Sequence, residues 1–202
     1  MKALFFSHYP LILASGSPRR QQFLQELGVE YRVVRPRGVE PAPRDGEEPE
    51  RYALRAAAAK AEAVAGQCAV PQAVVLAADT VVALEGDILG KPEDAADALR
   101  MLRLLAGRTH RVISAVSVFL PEGDRLDFHD STEVRFHAWP DAALAAYARS
   151  GEPLDKAGAY AIQGQGAFLV DSIAGSWSTV VGLPVTQLVA ALLARGIIAP
   201  QP

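Results

Sequence analysis

The run AVVLAADTVVAL, Ala73 to Leu84, is the longest β-like stretch of the chain, and it is apolar except near its centre. In a regular strand Val75, Ala77, Asp79 and Val81 share one face, and Thr80 points to the other. A carboxylate left unpaired in such a run would be costly, so Asp79 must meet a cation, a metal ion or an open cleft. Two readings stay open at this point. Asp79 pairs with a structural arginine, or it is a general base or metal ligand whose proton affinity is set by its surroundings.

The stretches around this run alternate between strand and helix. LILA (Leu11–Ala14) reads as a strand leading into the helix PRRQQFLQEL (Pro18–Leu27), which Gly28 stops. YRVV (Tyr31–Val34) is a short strand. RPRGVEPAPRDGEEPE is a loop rich in Pro, Gly and charge, and its tail opens the Ala-rich helix PERYALRAAAAKAEAVAG. After the long run, EGD makes a turn and ILGKP returns toward the helix PEDAADALRMLRLLAG. The second half opens with the hairpin THRVISAVSVFLP–EGD–RLDFHDSTEVRFHAW, then a helix, DAALAAYARSG, ended by Gly151. A polar, Gly-rich segment follows, GEPLDKAGAYAIQGQG, then a strand and turn in AFLVDSIAGS and the closing helix PVTQLVAALLARG. Alternation first and long antiparallel-looking strands later predict an α/β fold with a mixed sheet.

A chain of 202 residues, half of them hydrophobic, can build one large domain or two small lobes. The net charge of -3 gives no general nucleic-acid surface. One cysteine, Cys68, rules out an intramolecular disulfide and a multi-cysteine metal site, and reads as a small, buried or half-buried hydrophobe. The start, MKALFFSHYPLILASGSP, is broken by Ser7, His8, Tyr9 and Pro10 and reads as a short leader into the first strand. No apolar run approaches the roughly 20 residues of a membrane span, so no membrane is expected and the expected place is the cytoplasm.

The stretch SGSPRR, Ser15 to Arg20, breaks a local rule. Ser17 suits the N-cap and Pro18 the first helical position. Arg19 and Arg20 then fall at the positive end of the helix dipole, where each cation is disfavoured by roughly 0.3–1 kcal/mol. A strand-to-helix turn with small residues is a natural anion site, and Ser15, Gly16 and Ser17 let the backbone come close to a ligand. The two arginines would add donors that suit phosphate oxygens. The plainer alternative is a solvated helix start whose arginines pair with nearby acids. Three lysines, Lys60, Lys91 and Lys156, stand at turns or among small residues and could bring positive charge toward Asp79.

Several familiar signatures fail. GDILGKP has only three residues between Gly86 and Gly90, and Pro92 where a Walker A loop needs Ser or Thr. GQGAFL (Gly164–Leu169) ends in Leu where a dinucleotide fingerprint needs Gly. There is no HExxH and no GxSxG. Of the four histidines, His8, His110, His129 and His137, only the last two are spaced to share a strand face.

LASGSPRRQQFLQELG, AADTVV, LGKP, SGEPLDKAGAYAIQG and VVGLP together closely resemble the Maf family, nucleoside triphosphate pyrophosphatases historically called septum-formation proteins. The resemblance runs from about Leu11 to Leu193. It implies one Maf-type domain over 1–202, with two α/β lobes on an extended mixed sheet and a central cleft, an architecture of the Maf/ITPase kind. It implies hydrolysis of a nucleoside triphosphate to the monophosphate and pyrophosphate with a divalent metal of the Mg or Mn type. SGEPLDKAGAYAIQG resembles the subgroup acting on dTTP and UTP. A sister subgroup acting on 7-methyl-GTP has a Cys-containing variant where this chain has Lys156.

By the same resemblance Asp79 is the proton acceptor, and Arg19, Thr80 and Gln163 bear on substrate choice. Arg20, Lys60 and Lys91 bear on phosphate binding and activity, with Ser15 and Ser17 in the turn that holds the substrate. The family often carries an acidic pair in the loop after the second strand. Here that place reads GVEP, with Glu40 as its one acid and candidate metal ligand. Asp45, Glu47, Glu48 or the substrate phosphates are the alternatives. A homodimer is a family-level expectation. Two other functions compete: a house-cleaning pyrophosphatase for a non-standard purine triphosphate, and a non-catalytic nucleotide-binding regulator of cell division.

Overall fold

The computed structural model describes residues 3–38, 41–67 and 70–202. In chain order the elements are β1 (Phe5–Ser7), β2 (Leu11–Leu13), α1 (Pro18–Leu27), β3 (Arg32–Val33), α2 (Pro49–Ala65), β4 (Val74–Leu84), β5 (Asp87–Leu89) and α3 (Ala95–Leu105). Then come β6 (Thr109–Phe119), β7 (Arg125–Phe136), α4 (Asp141–Ala148), β8 (Val170–Ala174), α5 (Trp177–Val181), α6 (Val185–Ala194) and β9 (Ile198–Pro200). Three short 3-10 turns, Glu152–Asp155, Ala157–Ala159 and Gly164–Leu169, lie between α4 and β8.

Among the described residues the main sheet runs β3-β2-β4-β6-β7-β8, with β5 returning against the end of β4. β2 is parallel to β3 and β4, and every other pairing is antiparallel, so the sheet is mixed, as the sequence pattern predicts. β4 is central because both of its faces are apolar. Val75 and Ala77 pack with Ala61 and Val64 of α2, and Val81 and Ala83 pack with Ala53, Ala56 and Ala57. The alanines have little bulk, which lets α2 lie close on the sheet. On the opposite face Leu76 and Ala78 meet Leu24 of α1 and Leu188 and Leu192 of α6, and Val82 and Leu84 meet Leu102 of α3 and Leu144 of α4. Helices thus cover both faces of the long central strand, which explains its near-continuous hydrophobicity.

Three places differ from the sequence pattern. The leader forms β1, paired antiparallel with β9 at the other end of the chain. α5 (Trp177–Val181) arises between the AFLVDSIAGS strand and turn and the closing helix, in a stretch to which the sequence pattern assigns no element. YRVV shrinks to the two residues of β3, because β2, its one neighbour, is itself only three residues long.

Candidate functional site

β2 delivers the SGSPRR turn to the middle of the sheet. The Ala14 N–H donates to Leu76 O at 2.7 Å, which fixes the strand end beside β4. α1 begins at Pro18 with Ser17 in extended conformation at the N-cap, and Gly28 closes it in the left-handed region, at φ 74°. The Ser17 hydroxyl makes no capping bond, contrary to what a Ser at that position suggests. Its own N–H donates instead to Ser15 Oγ at 3.2 Å, so the capping role gives way to a turn folded on Ser15.

Arg20 ties three parts of the molecule together. Its Nε donates to Gly182 O at 2.8 Å, Nη2 to Thr80 Oγ1 at 3.0 Å and Nη1 to Ser15 Oγ at 3.2 Å. The chain continues with fixed polarity. Ser114 spends its proton on Thr179 O at 2.7 Å, so Thr80, which accepts from Arg20, donates to Ser114 Oγ at 2.8 Å. One arginine thus joins the α1 start, the centre of β4 and the end of α5. Arg20→Lys keeps the charge but not the fork. Losing a charged hydrogen bond here is expected to lower unfolding free energy by roughly 1.5–3 kcal/mol. Urea denaturation checks it, and an unchanged midpoint would rule the tie out as a stabilising element.

Asp79 and Thr80 leave β4 toward opposite faces, as strand alternation requires. Asp79 is 4% exposed and pairs with the ammonium of Lys60, which α2 brings over the sheet from among its alanines. The carboxylate in the apolar run therefore has a cation, and the cation is a lysine rather than a structural arginine.

These groups line one cavity of about 390 Å³, a volume that suits a small-molecule ligand. Ser15, Ser17, Arg19, Arg20, Lys60, Asp79, Thr80, Lys91 and Gln163 all stand in its wall. β5 and the turn after it bring Lys91, and the loop ahead of the third 3-10 turn brings Gln163. Among the described residues its charged lining is Arg19, Arg20, Lys60, Lys91 and Lys156 against Asp79 and Asp155, a formal +3 inside a chain of net -3. Such a concentration in a concave site attracts and holds an anion. Asp155 is drawn into this balance. Burial works to raise its carboxyl, but Lys156, and then the Arg19 charge, hold it below the ordinary value.

Over residues 10–195 the chain matches the family model described as Maf-like protein. The chain belongs to the Maf family. A protein of Nitratidesulfovibrio vulgaris named dTTP/UTP pyrophosphatase is 58% identical over 194 residues, 96% of this chain and 91% of that protein. Another of the same name, from Oleidesulfovibrio alaskensis, is 52% identical over 198 residues, 97% of this chain and 90% of that protein. Among solved structures, a nucleoside-triphosphatase / dITP/XTP pyrophosphatase from Mycobacterium abscessus aligns at 18% identity and a TM-score of 0.45 over 92% of this chain and 95% of that chain.

Glu40, the candidate metal ligand, and Cys68 both lie outside the described residues. Of the alternatives to Glu40, Glu47 is committed to Arg55, which donates from Nε at 2.9 Å and Nη2 at 2.5 Å, and with the Arg44 N–H holds that carboxyl at about 2. Asp45, Glu47 and Glu48 are all absent from the cavity wall. His129 lies within β7 opposite Ala115, whereas His137 has left the strand and packs against Trp139 with the rings tilted at 54°, so the two do not share a face. Among the described residues no group of three or more His, Cys, Asp and Glu gathers to hold a metal. No helix among them is long and apolar enough to cross a membrane.

Gly182, Tyr160 and Asp155 carry no functional signal in the sequence pattern. VVGLP, which contains Gly182, was visible as a motif, but its use as an acceptor for Arg20 depends on a contact spanning 162 positions. Tyr160 reaches the cavity wall with its hydroxyl 2.7 Å from Nε2 of His110, a residue 2% exposed on β6.

Proposed function

We propose that the chain is one catalytic domain over residues 1–202, with two lobes about the cleft, that hydrolyses dTTP and UTP to the monophosphate and pyrophosphate. The observation that carries this reading is the formal +3 lining gathered around the α1 start and the Lys60–Asp79 pair. The names of the 58% and 52% identical relatives give the substrate class.

In this reading the triphosphate lies along Ser15–Arg20, with backbone N–H groups and Arg19 on its oxygens. Lys60 and Lys91 balance the remaining charge, and Arg20 holds the turn in shape while adding its own. Asp79 accepts a proton from water as the water oxygen bonds to the α-phosphorus. The bond from that phosphorus to the α,β-bridging oxygen breaks, and pyrophosphate carries away the electron pair. Catalysis is then mostly positioning and charge neutralisation. A hard divalent cation of the Mg or Mn type would be held there mainly by the substrate phosphates, whose oxygens suit it. Such an ion supplies further neutralisation of the phosphate oxygens when bound. Pyrophosphate release across a panel of nucleoside triphosphates with Mg²⁺ tests the function. UTP and dTTP are expected to lead. A purine or 7-methyl-purine triphosphate leading instead would overturn the substrate class, and binding without release would leave a regulator.

Gln163 presents both a donor and an acceptor through its amide, which matches a pyrimidine edge. Gln163→Ala is expected to lower the preference for UTP over GTP in kcat/KM by on the order of tenfold or more, with a smaller loss in kcat. Equal losses on all nucleotides would contradict its part in base choice.

A further inference from the structure

Gln163 stands at the N-cap of the 3-10 turn Gly164–Leu169, yet its side chain makes no capping bond. A helical start leaves its first N–H groups without partners unless something else satisfies them. Here that partner is Glu152, from the far side of the Gly-rich segment. Its Oε2 accepts from the Gln165 N–H at 3.0 Å, and its Oε1 accepts from the Gly166 N–H at 3.0 Å and from the Tyr147 hydroxyl at 2.9 Å. The Tyr147 oxygen in turn accepts from the Ala161 N–H at 3.3 Å. The backbone is thus pinned two residues before Gln163 and two and three residues after it, by one carboxylate and the phenol bonded to it.

The fit is close on every side. Gly164 has φ +71°, and a Cβ there would stand 2.8 Å from Glu152 Oε2. A Cβ on Gly166 would stand 2.5 Å from both Ala161 O and the Tyr147 hydroxyl. Burial works to raise the Glu152 carboxyl, but the Gln165 N–H, the Tyr147 hydroxyl, the Gly166 N–H and the Lys156 charge outweigh it and hold it below the usual value. The carboxylate form that accepts all three bonds is therefore the one present at neutral pH.

We infer that Glu152 is a positioning residue for base discrimination: by capping the turn from a distance, it leaves the Gln163 amide to the cleft and fixes where that amide stands. This rests on the pyrimidine pyrophosphatase reading of the site. A free Gln163 would have two competing uses, as the cap of its own turn and as a contact to the base. Glu152 takes over the first.

The test measures kcat and KM of the full chain with Mg²⁺ on UTP and GTP, for wild type, Glu152→Ala, Glu152→Gln, Gln163→Ala and the Glu152→Ala/Gln163→Ala double variant. Glu152→Ala is expected to cut the UTP-over-GTP ratio by roughly tenfold, mainly through the KM for UTP, with kcat on GTP nearly unchanged. In the double variant the ratio is expected to equal that of Gln163→Ala alone, since Glu152 acts through Gln163. Glu152→Gln keeps size and one acceptor but sets an NH₂ against a backbone N–H; it is expected to fall between wild type and Glu152→Ala, and it serves in place of Glu152→Ala if that variant does not fold. An unchanged ratio in either Glu152 variant, equal losses on both nucleotides, or additive losses in the double variant would overturn the inference. If Gln163→Ala shifts the ratio and Glu152 does not, this inference alone fails. If wild type shows no preference for UTP, the pyrimidine reading falls and takes the inference with it.

Discussion

Asp79→Asn is expected to lower kcat on UTP by about 10²–10⁴-fold, the range that loss of a general base gives. The substitution keeps the shape of the side chain and an oxygen that can still accept from Lys60, so the circular dichroism spectrum should be unchanged. KM should move far less than kcat, because Asp79 acts on the attacking water rather than on the base or the phosphates. The companion variant Lys60→Met separates two roles of the pair. It leaves Asp79, 4% exposed, without the lysine's charge, a change of the kind that costs roughly 3–5 kcal/mol. Lys60→Met should therefore lower stability, whereas Asp79→Asn should mainly lower rate. An Asp79→Asn enzyme with near-normal turnover would remove Asp79 from the chemistry and leave the pair as a fold element.

His110 governs the second large effect, on stability in acid. Its ring is buried against Tyr160 and Phe136, at centroid distances of 5.3 and 4.9 Å, and burial lowers its pKa from 6.5 to about 4. The imidazole is therefore neutral in the folded protein at pH 7. The unfolded chain takes up the proton first, near pH 6.5, and the folded protein only near pH 4. Stability is thus complete above 6.5, falls as the pH drops through that window, and levels off below 4. The loss amounts to roughly 3 kcal/mol at 1.36 kcal/mol per unit. His110→Gln offers the Tyr160 hydroxyl either an acceptor or a donor and cannot titrate. Urea denaturation of both proteins between pH 7 and pH 4 should show the wild type losing about 3 kcal/mol more than the variant. Parallel profiles would contradict a neutral, buried His110.

What could be read from the sequence was local. The two arginines at a helix start are a misfit of neighbouring residues, and the proposed triphosphate would resolve it by setting an anion opposite them. Asp79 was conspicuous because one acid stood in an apolar run, and strand alternation alone separated it from Thr80. Its partner was harder to name. Lys60 is the one lysine on an alanine-rich helix, and only the packing of α2 on β4 brings the two together.

The remaining parts depend on distant contacts. No local pattern pairs the leader with the last three-residue strand, because the partners stand more than 190 positions apart. Gly182 acts through a carbonyl oxygen, which every residue type carries, so its sequence gives no sign of the bond to Arg20. Glu152 reads locally as one more acid in a polar segment. Its capping role becomes visible only when the 3-10 turn at Gly164 is formed beside it. The apparent N-cap Ser17 shows the reverse case, a good local signal displaced by the Ser15–Arg20 bonds.

The most direct test of water attack at the α-phosphorus follows the oxygen. UTP is turned over by the wild-type chain with Mg²⁺ in ¹⁸O-water, and the products are separated and weighed by mass spectrometry. One ¹⁸O in UMP and none in pyrophosphate is the expected result. Label in pyrophosphate would place the attack at the β-phosphorus, and label in inorganic phosphate with UDP as co-product would place it at the γ-phosphorus. Either outcome would contradict the assignment of the Asp79 side of the cleft to the α-phosphorus.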